Sequence, residues 1–348
     1  MSAKARWIAA LAVLVVSLGA APAAHAAPRA FYGVIPANDP SPTEINRMGP
    51  ARVGTLRINL YWGAVQPTAG APYDWGHYDQ IVETAAENGI RVLPTVYGSP
   101  RWVSRRPNLP PGKKHWGDFR RFVAAAAQRY GHDGIFWNQH PTVPRLAIVW
   151  WQLWNEVNSP SFWYRKPNPK QYVRLLKRFH AGIKGGDPRG RIVLAGLFPT
   201  PRIRHGMDGD RFLGGIYRNR AKRLFDAAAL HPYSTTPKQA LARAGDMRRI
   251  MAEHRDRKAK LWITELGWAT GGPRTALTVS RRRQAKYLHS SFKLLAKNRK
   301  RYRIPGVIWY SWRDVPGGIW FQHTGLFTSS FDPKPSWRAF TRLTGGTP

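Results

Sequence analysis

The sequence contains no cysteine, few acidic residues and a single long apolar stretch. Without cysteine the chain forms neither disulfides nor thiolate metal sites, so its core must hold it together. Only 19 residues are Asp or Glu against 55 Lys and Arg, which gives a formal net charge of +36. Aromatic residues are abundant, with 16 Trp, 14 Phe and 13 Tyr, so flat side chains are available for both a core and a binding cleft.

The one apolar stretch lies at the N-terminus. Lys4 and Arg6 precede the apolar residues 7–18, and Ala24-His25-Ala26 offers an A-x-A cleavage site. The stretch is shorter than the about 20 residues that a membrane-spanning helix needs. We therefore expect residues 1–26 to be a signal peptide, residues 27–348 to form one secreted domain, and no membrane insertion after cleavage.

The excess positive charge extends from Arg52 to Arg342 and does not form a tail. A solvated basic surface explains it, because net charge bears on solubility and association more than on fold. Non-specific attraction to an anionic polymer, such as a cell-wall or acidic exopolysaccharide, is the second interpretation. The sequence has no helix-turn-helix, zinc-finger or RNA-binding signature, so specific nucleic-acid recognition is not expected.

Short apolar strands alternate with amphipathic helical patterns along the chain, which is typical of a parallel α/β fold. The predicted strands are residues 31–35, 53–60, 91–96, 147–154, 192–197, 227–230, 261–264 and 307–312. Eight strand–helix units in about 320 residues predict a single (β/α)8 TIM barrel. An open doubly wound sheet is the alternative, but no glycine-rich phosphate loop follows the first strand.

Three helices and two loops can be bounded from the sequence. The helices are predicted at 168–185, 280–298 and 333–343, where apolar residues recur at helical spacing. Residues 101–114, rich in proline, and residues 132–145 are predicted to be loops.

Two of the six glutamates stand in apolar surroundings. Glu156 follows the apolar run from Ala147, and Glu265 follows Leu261-Trp-Ile-Thr. Both lie at the carboxyl ends of predicted strands four and seven, the face where TIM-barrel active sites assemble. An ionised carboxylate in such company is unfavourable unless it is paired or functional. Glycosidic cleavage requires a pair of this kind, one to protonate the leaving oxygen and one to act at the anomeric carbon.

The motifs around these glutamates resemble those of clan A glycoside hydrolases. The resemblance rests on Trp154-Asn155-Glu156, Thr264-Glu265-Leu266-Gly267, His231-Pro232-Tyr233 and Trp312, which arrive in order at strand ends over nearly all of the mature chain. Segments 97–102, 155–163, 325–327 and 334–335 are most similar to family 39 or the neighbouring family 5. Those families usually have proline where Val157 stands.

This resemblance implies a retaining glycosidase with Glu156 as acid/base and Glu265 as nucleophile. It also implies that Asn155 binds the sugar 2-hydroxyl and that Arg57 and Tyr233 bond the nucleophile. His231 would brace the site, with a core histidine as the other interpretation. The charge of Glu265 is expected to raise the pKa of Glu156.

Aromatic residues are expected to bind the sugar rings. By the resemblance, Trp312 would form the floor under the sugar. A few of the aromatic residues in or beside the loops that follow the strands would extend the cleft; the candidates are Trp62, Trp102, Phe162, Trp163 and Trp268.

No metal site or cofactor is predicted, because the 11 histidines are scattered and no H-E-x-x-H spacing occurs. The sequence thus predicts a hydrolase of O-glycosidic, β-linked carbohydrate. The alternative is a non-catalytic carbohydrate-binding barrel associated with acidic cell-surface polymers.

Overall fold

The computed structural model describes residues 27–164, 166–199 and 204–348. The predicted signal peptide, residues 1–26, and its cleavage site lie outside this range. Within the described residues, no helix combines the length and the apolar character needed to cross a membrane.

Eight parallel strands form a closed barrel. They are β1 Tyr32–Ile35, β2 Thr55–Tyr61, β3 Arg91–Tyr97, β4 Trp150–Leu153, β5 Arg191–Leu197, β6 Ala227–Leu230, β7 Lys260–Leu266 and β8 Val307–Tyr310. Each strand bonds to the next along the chain, and β8 closes on β1 with Tyr32 opposite Val307. The predicted (β/α)8 barrel is therefore confirmed.

Helices surround the barrel. In the described part of the chain they are α1 Pro42–Met48, α2 Trp62–Val65, α3 Gly76–Glu87, α4 Trp116–Tyr130, α5 Ile135–Gln139, α6 Pro169–Gly186, α7 Gly209–Arg218, α8 Pro237–Glu253, α9 Arg281–Tyr302 and α10 Pro335–Thr344. Their starts follow local chemistry: Asn168, Thr236 and Ser280 each accept a hydrogen bond from a backbone N–H in the first turn of α6, α8 and α9. Proline occupies the first turn of α1, α6, α8 and α10.

Helix α6 shows how the helices cover the sheet. The face predicted from helical spacing is buried in the structure, and it consists of Tyr172, Leu175, Leu176, Phe179 and Ile183. On the same helix, a Cβ at Gly182 would lie 2.8 Å from Val123 Cγ1. The missing side chain lets α6 approach α4 closely, so the outer layer packs without a gap.

The end of the barrel interior where the strands begin is filled by apolar side chains. A separate cluster of buried residues packs there, comprising Leu93, Val193, Ala227, Ala229, Trp262 and Ile308; Ile35, the last residue of β1, extends this cluster toward the opposite end of the barrel. Trp262 is the largest member, and its ring lies so close to Gly306 that a Cβ there would come within 2.3 Å of it. This end of the barrel is a packed core that leaves the opposite end, the mouth, for polar groups.

The predicted boundaries need several corrections. Strand β4 begins at Trp150 and β8 ends at Tyr310, so residues 147–149 and 311–312 do not belong to the strands assigned to them. Beyond Tyr310 the regular pairing stops: Trp312 N–H still donates to the Ile35 carbonyl of β1, but the Ser311 carbonyl accepts from Leu326 N–H. The predicted loop 132–145 contains the short helix α5, and α9 runs to Tyr302, beyond its predicted end at residue 298.

Candidate active site

The backbone that carries Glu156 into the barrel mouth has an unusual conformation. Strand β4 ends at Leu153, and the next residues include two non-glycine positions with positive φ, Trp154 at 65° and Glu156 at 35°. Such conformations cost about 1–3 kcal/mol each and persist only where the surroundings enforce them. The Glu156 N–H donates to the Gly196 carbonyl at 3.2 Å, which holds the segment against β5. The side chain that results is 17% exposed.

Glu265 reaches the same space from β7. It lies where the pairing of β7 with β8 changes register, between Ile263 and Leu266. Arg57 Nη1 donates to its Oε1 at 2.7 Å, and the Tyr233 hydroxyl donates to its Oε2 at 2.9 Å. Both carboxylate oxygens are thus bonded, and the side chain is 10% exposed. A buried carboxylate needs this kind of compensation, so Arg57 and Tyr233 hold Glu265 in one orientation.

The two carboxylates meet in space although 109 residues separate them in the chain. One oxygen of Glu156, one oxygen of Glu265 and a ring nitrogen of His231 all lie within 4.8 Å of one another. His231 Nδ1 is 2.8 Å from Glu156 Oε1 and 3.5 Å from Glu265 Oε2. The pair of acids expected from the sequence therefore shares one small volume at the barrel mouth.

Arg57 links the carboxylate to the polar layer beneath it. Its Nε donates to Gln152 Oε1 at 2.8 Å, and its Nη2 donates to Asn155 Oδ1 at 3.1 Å. Gln152 in turn accepts from the Thr95 hydroxyl at 2.9 Å. The guanidinium is 1% exposed, and its Nε and both Nη atoms are all bonded, so it cannot turn away without leaving buried groups unpaired.

His231 occupies space that is free because residue 196 is a glycine. A Cβ at Gly196 would lie 1.9 Å from His231 Nε2, so glycine is required there. Among the described residues Nε2 has no hydrogen-bond partner, whereas Nδ1 faces Glu156 Oε1. A buried N–H without an acceptor is unfavourable, so the network assigns the ring proton to Nδ1 and makes His231 the donor to Glu156.

Burial is the main influence on the titration of this site. It raises the pKa of Glu156, and the nearby negative charge of Glu265 acts in the same direction, while the His231 hydrogen bond and Arg57 oppose the rise. The direction agrees with the sequence-based expectation, although burial contributes more than Glu265 does. Burial and Glu265 also raise the pKa of Tyr233 well above its usual value, which keeps the phenol protonated as a donor.

The carboxylates open into a cavity of about 440 Å³. Its floor contains Arg57, Asn155, Glu156, Tyr233 and Glu265, all of which were candidate site residues. The aromatic residues that line it are Tyr61, Tyr97, Phe162, Phe198, Tyr310, Trp320 and Phe321, together with Tyr233. Flat rings around hydrogen-bonding groups suit a sugar, whose ring has apolar faces and polar edges.

Most of the tryptophans proposed for the cleft belong to the core instead. Trp312 is fully buried against Phe327 and Trp337, and the ring that faces the cavity at the end of β8 is Tyr310. The sugar floor predicted at Trp312 is therefore wrong, because β8 ends two residues earlier. Trp62 and Trp268 are likewise buried and do not line this cavity, whereas Trp163, also buried, lines a neighbouring cavity beside Ser161.

Local contacts explain why those rings turn inward. Trp62 lies at the start of α2 and stacks on Phe122, and its Nε1 donates to Gln66 Oε1 at 3.0 Å. Trp268 Nε1 donates to the Ser234 carbonyl at 2.8 Å. Trp102, half-buried, donates to the Gln66 carbonyl and lies outside the cavity. Of the aromatic residues proposed from these loops, Phe162 alone lines the cavity in the described structure.

Several residues that line or support the site were not predicted from the sequence. Gln152 is the one polar residue of β4, and that isolation is a readable signal of a buried network. Tyr61 and Tyr310 are the last residues of β2 and β8, the positions that face the mouth. Trp320 and Phe321 begin a single 3-10 turn, Trp320–His323, within the long connection after β8, and no periodic pattern in the sequence predicts where that turn lies.

The same cluster offers three atoms of the kinds that bind metals, from Glu156, His231 and Glu265. No sequence spacing could predict this trio, because its members come from three different strand ends. In the structure, Arg57 already supplies a positive charge 2.7 Å from Glu265. His231 donates to Glu156 Oε1, and the Tyr233 hydroxyl donates to Glu265 Oε2. The donor set therefore fits a hydrogen-bonded carboxylate pair better than a cation site.

The similarity of this chain to known proteins is a similarity of fold. No protein-family model matches the chain, and no curated protein matches its sequence. Among solved structures, a family 39 glycoside hydrolase from the gut symbiont Bacteroides cellulosilyticus WH2 aligns over 91% of this chain and 64% of its own, with 21% identity and a TM-score of 0.68. The chain thus spans less than two thirds of the length of that protein.

Two further structures extend the comparison. A monomeric beta-xylosidase from Caulobacter crescentus CB15 aligns over 92% of this chain and 69% of its own, with 16% identity and a TM-score of 0.65. GH10 from Paenibacillus barcinonensis aligns over 91% of this chain and 96% of its own, with 16% identity and a TM-score of 0.62. At these identities the likeness concerns the barrel itself.

Proposed function

We propose that the chain is a retaining glycoside hydrolase that cleaves β-linked carbohydrate, with Glu156 as acid/base and Glu265 as nucleophile. The observation that carries the proposal is the approach of the two carboxylates, with oxygens within 4.8 Å. Retaining enzymes hold their carboxyl groups about 5–5.5 Å apart, whereas inverting enzymes leave about 6.5–9.5 Å for a water molecule. The β-linkage is proposed because one structure of the same fold is a beta-xylosidase.

In the first step Glu265 attacks the anomeric carbon while the glycosidic C–O bond breaks. Glu156 gives its proton to the departing oxygen, and a glycosyl ester forms on Glu265. Burial suits Glu156 to this step, because it raises the pKa of the carboxyl and favours the protonated form. Since His231 donates to Oε1, Oε2 is left to carry the proton toward the leaving group.

In the second step Glu156, now ionised, takes a proton from water. The water oxygen bonds to the anomeric carbon, the ester bond to Glu265 breaks, and the sugar leaves with its original configuration. Arg57 and Tyr233 bond Glu265, so they orient the attacking oxygen and stabilise the carboxylate that the second step releases. Asn155, whose Oδ1 accepts from Arg57, lines the cavity, and the proposal gives its amide the role of bonding the 2-hydroxyl of the sugar.

We propose that residues 1–26 direct export and are removed, and that residues 27–348 act as one catalytic domain. The carbohydrate substrate would occupy the cavity beside Glu156 and Glu265, with Tyr310 and Trp320 as the aromatic rings against which it stacks.

A covalent trap tests the proposal. The protein is incubated with activated 2-fluoro glycosides of the gluco, xylo, manno and galacto series, and peptides are examined by mass spectrometry. We expect one reagent to leave a 2-fluoroglycosyl adduct on the peptide that contains Glu265. The matched control is Glu265→Gln, which keeps the shape of the side chain but has no carboxylate to label.

The outcomes separate two classes of protein. An adduct on Glu265 that is absent from the Gln variant supports the retaining mechanism. Binding of carbohydrate with no adduct from any reagent would instead favour a non-catalytic carbohydrate-binding barrel.

A further inference from the structure

A second cavity, of about 810 Å³, adjoins the catalytic cavity, and Ser161 lines both. We call it the side cavity. Its walls come from two segments: residues 98–115 after β3, and the described residues 154–164 and 166–168 after β4, with Gln171 from the start of α6. A chain that leaves the catalytic cavity past Ser161 therefore enters the side cavity directly.

Hydrogen bonds join the two loops before any ligand arrives. Asn108 Nδ2 donates to the Ser161 carbonyl at 2.6 Å, and the Tyr164 hydroxyl donates to the Pro110 carbonyl at 2.6 Å. The Ser99 hydroxyl bonds the Leu109 carbonyl at 2.7 Å and folds the first loop back on itself. The side cavity is therefore preformed, which reduces the entropy lost when a ligand binds.

The charge of these loops is of one sign. Glu156 is the only acidic residue between residues 98 and 115 or between 154 and 168. The described cations in the two segments are Arg101, Arg105, Arg106, Lys113, Lys114 and Lys166. Two of them, Arg106 and Lys166, line the side cavity from opposite loops.

These two cations are not neutralised by the protein. Among the described residues, neither Arg106 nor Lys166 has a carboxylate within the 4.0 Å of a salt bridge, and both are exposed. Most other described cations also lack such a partner, Lys293 and Lys297 among them, so this pair is distinguished by its place in one cavity. A pair of unneutralised cations inside one cavity attracts an anion more strongly than scattered surface charges do.

We propose that the side cavity binds a sugar unit that carries an anionic group, a carboxylate or a sulfate ester, adjacent to the unit held at the carboxylate pair. The exposed ring of Tyr164 offers a face for that unit, and the amides of Asn108 and Gln171 offer hydrogen bonds to its hydroxyls. The substrate is then an acidic polysaccharide. This inference rests on the proposed function and specifies its substrate class.

Binding to matched tetrasaccharides tests the inference. The Glu265→Gln chain, which is expected not to turn over, is titrated calorimetrically with cellotetraose, its C6-oxidised glucuronate form and its sulfated form. Xylotetraose with and without one glucuronate branch gives a second backbone. We expect at least one anionic member to bind at least about tenfold more tightly than its neutral counterpart, a difference of the size that charge-assisted hydrogen bonds provide.

Two charge variants separate a site from general attraction. Arg106→Gln with Lys166→Gln removes the two cavity cations, and Lys293→Gln with Lys297→Gln removes two exposed cations from α9. We expect the first pair to abolish the preference for the anionic member and leave neutral binding within about twofold, and the second pair to change neither. The carboxylate and sulfate arms report which anion the cavity prefers.

Three results would overturn the inference: no preference for any anionic member, an equal loss in both double variants, or equally tight binding of a single-stranded oligonucleotide. Failure here is distinct from failure of the proposed function. An adduct on Glu265 with no effect of the Arg106 and Lys166 changes would refute the side cavity alone. Selective anionic binding without an adduct would refute the hydrolase and retain the side cavity.

Discussion

The two ends of the barrel interior are built from the same eight strands but from opposite kinds of side chain. At the end where the strands begin, the interior is apolar, with Leu93, Val193, Ala227, Trp262 and Ile308 packed together. At the mouth it is a hydrogen-bonded network that contains Arg57, Thr95, Gln152, His231 and Glu265. Single strands contribute to both, since β3 supplies Leu93 to one and Thr95 to the other.

The contrast separates stability from chemistry. The apolar end gains free energy from every side chain removed from water. The mouth buries charges, which is favourable only as long as each partner remains, so its residues are retained for function at a cost to the fold. Mutations at the apolar end should therefore reduce stability, and mutations at the mouth should reduce activity.

The largest effect is expected at the mouth. Glu265→Gln removes the proposed nucleophile while keeping its shape, so kcat/KM should fall by about 10⁴-fold or more. The circular dichroism spectrum should remain that of the wild type. A variant that keeps more than about one hundredth of the wild-type kcat/KM would exclude Glu265 as the nucleophile.

A substitution at the apolar end should lower stability and leave activity nearly unchanged. Leu93 is 1% exposed in the apolar cluster, so Leu93→Ala should reduce the free energy of unfolding by about 2–5 kcal/mol in denaturant titrations. Activity per folded molecule should stay within about threefold of the wild type, because the network at the mouth is unchanged. A large loss of kcat in the folded variant would break the proposed separation.

Two tryptophans allow the same comparison on a smaller scale. Trp320 lines the catalytic cavity, whereas Trp312 lies in the core behind β8. Trp320→Ala should raise KM by about three- to tenfold, since one stacking contact is worth about 0.5–1.5 kcal/mol and each 1.4 kcal/mol is a factor of ten. Trp312→Phe should lower the melting temperature and leave KM within about twofold. The reverse pattern would restore Trp312 as the sugar platform.

The smallest effect concerns the stability cost of Glu156. Burial raises the pKa of Glu156 in the fold, so its contribution to stability is present below the ordinary glutamate pKa of about 4.3 and is lost as pH rises through the folded value. Glu156→Gln should therefore melt at a higher temperature than the wild type at neutral pH, with the difference shrinking as pH falls toward 4. A variant less stable than the wild type at neutral pH would contradict this account.

The sequence predicted much of this site because strand ends and buried carboxylates leave local signals. Glu156 and Glu265 stood out as acids in apolar runs, whereas Arg57 was reached through the family resemblance, and the structure buries it on β2 between Leu56 and Ile58. The aromatic lining was not predictable in the same way. The place of Trp320 depends on the path of a long loop, and that of Tyr310 depends on where β8 ends, which composition does not report.

The central claim is that the two carboxylates act on one anomeric carbon from within 4.8 Å of each other. Proton NMR during hydrolysis of an aryl β-glycoside tests it most directly, because the anomeric proton of the first product appears before mutarotation. We predict that the β-anomer forms first, with the α-anomer growing later. Initial appearance of the α-anomer would mean inversion and would contradict the account.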